Sequence, residues 1–170
     1  MTMSKTTKTY CTLMPTPLGE LQIVVGEHDR LLYIGLPGHH RKLPSALSNA
    51  RRCAHVVQQL REYFAGLRTK FELTVTLSGT DFQRRAWRVL QMIPFGKTFY
   101  YQEQAFRAGN PRAMRAVGGA NGKNPIPIVV PCHRVIGKHG ALTGFGGGLA
   151  AKRWLLQHET RVLTERSDRR

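Results

Sequence analysis

A chain of 170 residues can bury one core or two small ones, and 41% hydrophobic with 8% aromatic content excludes an unfolded, low-hydrophobicity polymer. Its 26 Lys and Arg against 10 Asp and Glu give a net charge of +16; residues 79–160 hold 12 basic and 3 acidic side chains, residues 1–78 hold 10 and 5, so the excess points to a polyanionic partner. No apolar run approaches the ~20 residues of a membrane span, and three scattered cysteines with no CxxC pair and no signal-like start lead us to expect a reducing, cytoplasmic setting.

In chain order, Tyr10 to Met14, Leu21 to Val25 and Leu31 to Leu36 read as three strands of an antiparallel meander, separated by TPLG and GEHD. A charged loop from Pro37 to Pro44 follows. A helix is expected from about Ser48, because Cys53, Val57, Leu60 and Phe64 recur at helical spacing and Gly66 can end it. Cys53 then belongs to the core. Phe71 to Leu77 alternates again, and Ser78-Gly79-Thr80 breaks the chain, which puts a domain boundary there.

The second half reads as mainly helical. Thr80 can cap a helix with Phe82, Ala86, Val89, Leu90 and Ile93 on one face and Trp87 in its core, stopped by Pro94 and Gly96. Tyr101 to Ala108 and Pro111 to about Asn121 are two short helices around a Gly-Asn-Pro break, the pattern of a helix-turn-helix. The second of these, RAMRAVGGANGKN, carries Arg112, Arg115 and Lys123 among Ala113, Ala116, Gly118, Gly119 and Ala120. Each of its two adjacent glycines costs a helix ~1 kcal/mol relative to alanine. Close approach to another surface would offset that cost, either the domain's own helices or a nucleic-acid groove.

Cys132 follows the run NPIPIVVP, where Pro131 ends the extended segment, and precedes His133 and Arg134. A thiol at a turn beside positive charge is expected to be accessible and of lowered pKa. The amino-terminal half offers no metal quartet, since Cys11 and Cys53 have no ligand pair nearby and His39-His40 stands alone; no structural metal and no cofactor are expected.

PCHRVIG, preceded by NPIPIVV and followed by TGFGGG and LLQHE, resembles the O6-alkylguanine-DNA alkyltransferase family of direct-reversal DNA repair proteins, strongly over residues 79–159 and weakly over 9–78. The resemblance implies an α/β fold in two parts. Residues 1–78 would form a small ribonuclease H-like domain, a three-stranded antiparallel sheet with a helix. Residues 79–160 would form a mainly helical, winged-helix-like domain with the helix-turn-helix, and 161–170 a flexible basic tail. It also implies minor-groove binding to double-stranded DNA containing O6-alkylguanine, extrusion of the damaged base, and irreversible transfer of its alkyl group to Cys132, with O4-alkylthymine open as a second lesion. The protein would act as a monomer, with clustering on DNA open.

By the same match His133 is the base acting on Cys132, Glu159 orients His133, and Asn124 holds the active-site turn. Tyr101, in preference to Tyr100, is the phenol that meets the leaving purine. Pro127, Val135, Phe145, Gly146 and Gly147 form the pocket wall and lip. Arg115 enters the base stack from a helix whose Ala113, Ala116 and Gly118 allow close approach, and Lys123 meets phosphate. Phe145 stands where many members have tyrosine, and Gln102 and Gln104 stand where small and aliphatic residues are usual.

Displacement at carbon needs a strong nucleophile and a stabilised leaving base. An ordinary thiol is about 3% ionised at neutral pH. Lowering its pKa by about three units would gain roughly thirtyfold in thiolate and lose roughly twentyfold in intrinsic nucleophilicity. The acceleration must therefore come from positioning the base and donating to it as it leaves. Two rival classes are a cysteine hydrolase, which has no use for a basic helix-turn-helix, and a non-catalytic damage sensor, which has no use for a nucleophile.

Overall fold

The chain is described from a computed structural model over residues 8–43 and 46–169; residues 1–7, Pro44 at the end of the expected loop, Ser45 and the final Arg170 lie outside the described residues. The alternating first segment forms β1 (Thr9–Thr16), which turns at Leu18 into β2 (Gly19–Val25) and then pairs through it with β3 (Leu31–Gly35). β2 is flanked on both sides, and Leu21, Ile23, Val24 and Val25 are all buried. The expected meander has one more strand: β4 (Ala46–Ser48) pairs parallel with β1, so the sheet order is β3-β2-β1-β4. Ser48 thus belongs to a strand, and Asn49 caps α1 (Ala50–Phe64), its side chain accepting from the Arg52 N–H at 3.1 Å. Phe71 to Leu77 contributes one bridge, Val75 to Leu31, in place of a strand.

Helix α1 lays Cys53, Val56, Leu60 and Tyr63 on the sheet, each fully buried. At ~1.5–3 kcal/mol for each large apolar side chain removed from water, this stripe fixes the helix where its modest propensity would not. The buried cluster is continuous through Tyr63, Trp87 and Phe95 into Ile126, Ile128, Val130 and Leu155, so the two halves share one core.

Thr80 and Gln83 form a reciprocal capping box on α2 (Asp81–Gln91). The short strand β5 (Phe99–Tyr100) leads into α3 (Tyr101–Arg107), and α4 (Met114–Gly122) follows a turn in which Asn110 Oδ1 accepts from the Arg112 N–H. Pro111 lies in this turn, so the second helix starts three residues later than its proline suggested. Ala86, Val89, Ala105, Ala108, Val117 and Ala120 make the α2–α3–α4 contact, and their small side chains bring the helices close. Gln104 is fully buried there: Gln104 and Asn121 exchange two 2.8 Å hydrogen bonds between α3 and α4, which satisfies the residue that departs from the family pattern.

After the one-turn helix Cys132–Arg134, β6 (Val135–Ile136) pairs with β5, and α5 runs from Gly148 to Asp168. The expected flexible tail is therefore the last two turns of a helix. Val162 is buried, Leu163 packs on the core, and Arg166 donates to the carbonyls of Gly66 and Leu67 at 2.9 Å.

Candidate active site

Three segments converge at Cys132. The turn from Asn124 to Val130 is closed by one side chain: Asn124 Nδ2 donates to the Val130 carbonyl at 2.7 Å and its Oδ1 accepts from the Ile126 N–H at 3.0 Å. Within the turn Ile128, a buried β-branched residue, takes a φ of +75°, a conformation that costs about 1–3 kcal/mol and persists where surroundings over-determine it. Cys132 follows with 7% of its surface exposed, and its N–H donates to the Val130 carbonyl at 2.9 Å.

His133 and Glu159 are both fully buried, with His133 Nε2 to Glu159 Oε1 at 2.8 Å. Glu159 takes further donors from Arg134, next to His133 on the same one-turn helix, and from two other segments. Arg134 Nε and Nη2 reach it at 2.9 and 3.0 Å, the Tyr63 hydroxyl at 2.8 Å and the Gly96 N–H at 2.9 Å. Gly96 has a φ of +72°, and a Cβ there would lie 2.2 Å from Leu163 Cδ1, so glycine brings this N–H to the carboxylate without the strain another residue would carry. Burial pushes the Glu159 carboxyl up, but the hydrogen bonds and charges of His133 and Arg134 outweigh it and hold the group well below the usual carboxylate range. Burial moves His133 down, towards the neutral imidazole. With Nε2–H donated to Glu159, Nδ1 carries the lone pair, and it has no protein partner.

The thiol departs from expectation. Burial pushes Cys132 above its ordinary value, opposed by a hydrogen bond from Asn124, the charge of Lys152 and the N–H groups of residues 132 and 133. Arg134, read from sequence as charge beside the thiol, turns inward to Glu159 and the Ile93 carbonyl, at 2.6 Å. Cys132 is a protected thiol beside a neutral base.

A cavity of about 660 Å³ is lined by Tyr101, Arg115, Gly118, Phe145 and Gly146 together with His39, Met114, Gly122, Thr143 and Gly144; Cys132 and His133 are not among its lining residues. Phe145 joins the two regions, its ring edge-on to His133 with centroids 6.5 Å apart. Pro127 and Val135 are buried and do not line this cavity, nor do Gly147, Ala113, Ala116 and Lys123. Tyr100 is half exposed and lines a neighbouring cavity with Tyr101, whose hydroxyl donates to the Thr143 carbonyl at 3.3 Å. On α4, Val117, Ala120 and Asn121 face inward while Arg115, Ala116, Gly119 and Gly122 are exposed. A Cβ at Gly119 or Gly122 would meet nothing within 4 Å, so packing inside the protein does not require glycine at either position.

Two family profiles cover these elements: "6-O-methylguanine DNA methyltransferase, ribonuclease-like domain" matches residues 9–77, and the DNA binding domain of the same family matches 81–161. The chain belongs to the 6-O-methylguanine DNA methyltransferase family. A methylated-DNA–protein-cysteine methyltransferase of Mycolicibacterium paratuberculosis is 58% identical over 113 residues, covering 66% of this chain and 68% of that one. One from Shigella flexneri is 42% identical over 160 residues, covering 87% and 94%. The crystal structure of Mycobacterium tuberculosis OGT in complex with DNA superposes with a TM-score of 0.85 at 42% identity, over 90% of this chain and 94% of that chain.

In this member of the methyltransferase family, three site residues escaped the sequence reading. Tyr63 lies 96 positions before Glu159, and only the fold joins them. Arg134 was noticed for its charge but not for its direction. Lys152 is fully buried, with Nζ donating to the carbonyls of Val135 at 2.6 Å and Thr143 at 2.8 Å, so it ties the strand after the thiol to the cavity lip. Charged residues among LAAKRW gave no sign of burial. No helix among the described residues is long and apolar enough to cross a membrane.

Proposed function

We propose that this protein repairs alkylated DNA by moving the alkyl group of an O6-alkylguanine to Cys132, once per molecule, after the nucleotide is turned out through the minor groove into the Tyr101–Arg115–Phe145 cavity. The observation that carries the reading is the buried His133–Glu159 pair beside the thiol, with imidazole Nδ1 left free to accept a proton. Family membership and the superposition on a DNA-bound relative support nucleic acid as the partner.

The thiol proton passes to His133 Nδ1, directly or through water, while Glu159 stabilises the imidazolium through Nε2–H. Cys132 Sγ forms its bond to the alkyl carbon as the carbon–O6 bond breaks, and the released electron pair stays on the guanine, which takes up a proton. Tyr101 would donate to that purine by turning its hydroxyl from the Thr143 carbonyl, and Lys152 fixes the lip against which Tyr101 rests. The product is a thioether with no easy leaving group, so the protein is spent. Arg115 and the small residues around it form the surface that meets the duplex, with Arg115 filling the place of the extruded base and Lys123 near phosphate.

Intact-mass measurement after mixing with duplex DNA containing O6-methylguanine tests this directly. One methyl group should appear per protein molecule, on Cys132, and none in Cys132→Ala. Growth of repaired DNA beyond one equivalent, or full transfer by Cys132→Ala, would overturn the reading.

A further inference from the structure

Helix α1 reaches the centre of the site through one hydroxyl. Tyr63 is fully buried, and its ring is held between Phe64, Phe71, Phe95 and His158 at centroid distances of 5.3 to 5.9 Å. Its hydroxyl donates to Glu159 Oε1 at 2.8 Å, and that same oxygen takes His133 Nε2 at 2.8 Å. We infer that Tyr63 is a positioning residue for alkyl transfer, contributed by the amino-terminal domain, whose hydroxyl fixes the Glu159 oxygen opposite His133 and limits how strongly that oxygen holds the imidazolium.

The reasoning is competition at one acceptor. A carboxylate oxygen that accepts several hydrogen bonds has its charge shared among them, and each added donor weakens the others' hold. Glu159 Oε1 serves Tyr63, His133 and Arg134 together, so His133 receives less support for its charged form than a free carboxylate would give. The other charged groups facing the imidazole, Arg134 beside it and Lys152 on α5, also oppose protonation. Tyr63 is a permanent donor: burial first, then the charge and hydrogen bond of Glu159, push its phenol well above the ordinary value. A base kept neutral can accept the thiol proton at every pH above its acid limb.

The inference rests on His133 acting as the base proposed above. The test is the rate of reaction with free O6-benzylguanine across the acid and neutral range, which needs no DNA, with duplex affinity measured in parallel. Tyr63→Phe keeps the ring and removes the donor. Its acid limb should move up by about half a pH unit, roughly a threefold loss of rate on the limb, with DNA affinity unchanged. Tyr63→3-fluorotyrosine, which keeps the hydroxyl and strengthens it as a donor, should move the limb the other way; it carries the test should Tyr63→Phe not fold. A merely structural role would scale the whole profile without moving its midpoint. A limb present in the unmodified protein and unmoved in the variants overturns this inference alone. A profile of the unmodified protein with no acid limb overturns the base role and this inference together.

Discussion

Replacing Arg134 by methionine should be among the most damaging single changes outside the thiol itself. The guanidinium makes a fork onto Glu159, at 2.9 Å through Nε and 3.0 Å through Nη2, and its Nη1 holds the Ile93 carbonyl at 2.6 Å. Methionine keeps most of the apolar stem and removes all three. Breaking a buried pair by deleting one partner costs about 3–5 kcal/mol, because the remaining charge stays desolvated. The orphaned Ile93 carbonyl adds about 1 kcal/mol. At about 2–4 °C per kcal/mol for a chain of this size, the melting temperature should fall by roughly 8–24 °C. The loss should also depend on pH. In the unmodified protein the depressed carboxyl of Glu159 stabilises the fold above its unfolded value and loses that contribution as pH falls through its folded value. In the variant, burial's upward push on the carboxyl is no longer opposed by Arg134, so the deficit is largest near neutrality. It shrinks below about pH 4.3, where the unfolded carboxyl protonates and the unmodified protein's contribution fades towards its own low folded value. Urea unfolding at neutral and acid pH reads both effects. The exposed Arg107–Glu103 pair, 3.1 Å apart, is the control, and Arg107→Met should cost under about 1 kcal/mol. An Arg134→Met loss no larger than the control's would refute the argument that Glu159 depends on this cation.

Three further outcomes are expected. Gln104→Leu should cost about 1–3 kcal/mol in urea unfolding by stranding the Asn121 amide, and adding Asn121→Leu should recover much of the loss; no recovery would mean that helix packing sets the cost. Arg115→Ala should slow reaction with duplex DNA tenfold or more, on the order of the few kcal/mol needed to extrude a nucleotide, yet leave the rate with free O6-benzylguanine nearly unchanged; equal slowing of both would make Arg115 a pocket residue. Because Cys132 is pushed up by burial, the unfolded chain releases its thiol proton first, so stability should fall as pH rises above about 8.5, by up to about 1.4 kcal/mol per pH unit from this group. Cys132→Ala should flatten that slope, and an unchanged slope would show that other groups carry it.

Period and punctuation made much of the fold legible. β1, β2 and β3 followed from short alternating or apolar runs between turn signals, and α2 from the Thr80 cap and its apolar face. β4 was missed because three residues are too few to show a period, and its parallel partner β1 lies far back in the chain. Phe71 to Leu77 alternates without a partner along its length, so pattern alone overstated it. The basic ending of α5 looked like a tail because its buried positions are sparse and its anchor, Arg166 on the Gly66 and Leu67 carbonyls, depends on a contact across the fold. Cys132, His133 and Glu159 could be named from PCHRVIG and LLQHE. The direction of Arg134 and the arrival of Tyr63 could not, because charge and hydroxyl are written in the sequence but the partner that orients them is not.

The protonated state of Cys132 then becomes intelligible. A preformed thiolate would gain little in rate, since its larger population is nearly offset by its lower nucleophilicity, and it would stand open to oxidants. For a protein that acts once per molecule, each oxidised thiol is a repair forgone. In the proposed reaction, burying the thiol in apolar surroundings and placing a neutral imidazole beside it would defer ionisation to the moment of transfer. That arrangement works only if the imidazole stays neutral while the carboxylate behind it stays charged. Those two requirements conflict in a bare Glu–His pair, because an unshared carboxylate would draw the proton onto the imidazole. The donors from Arg134, Gly96 and Tyr63 resolve the conflict by keeping Glu159 ionised without letting His133 monopolise it. Of these three donors only Tyr63 comes from the first half of the chain, and through it the proposed reactivity of Cys132 would depend on both halves being folded against each other.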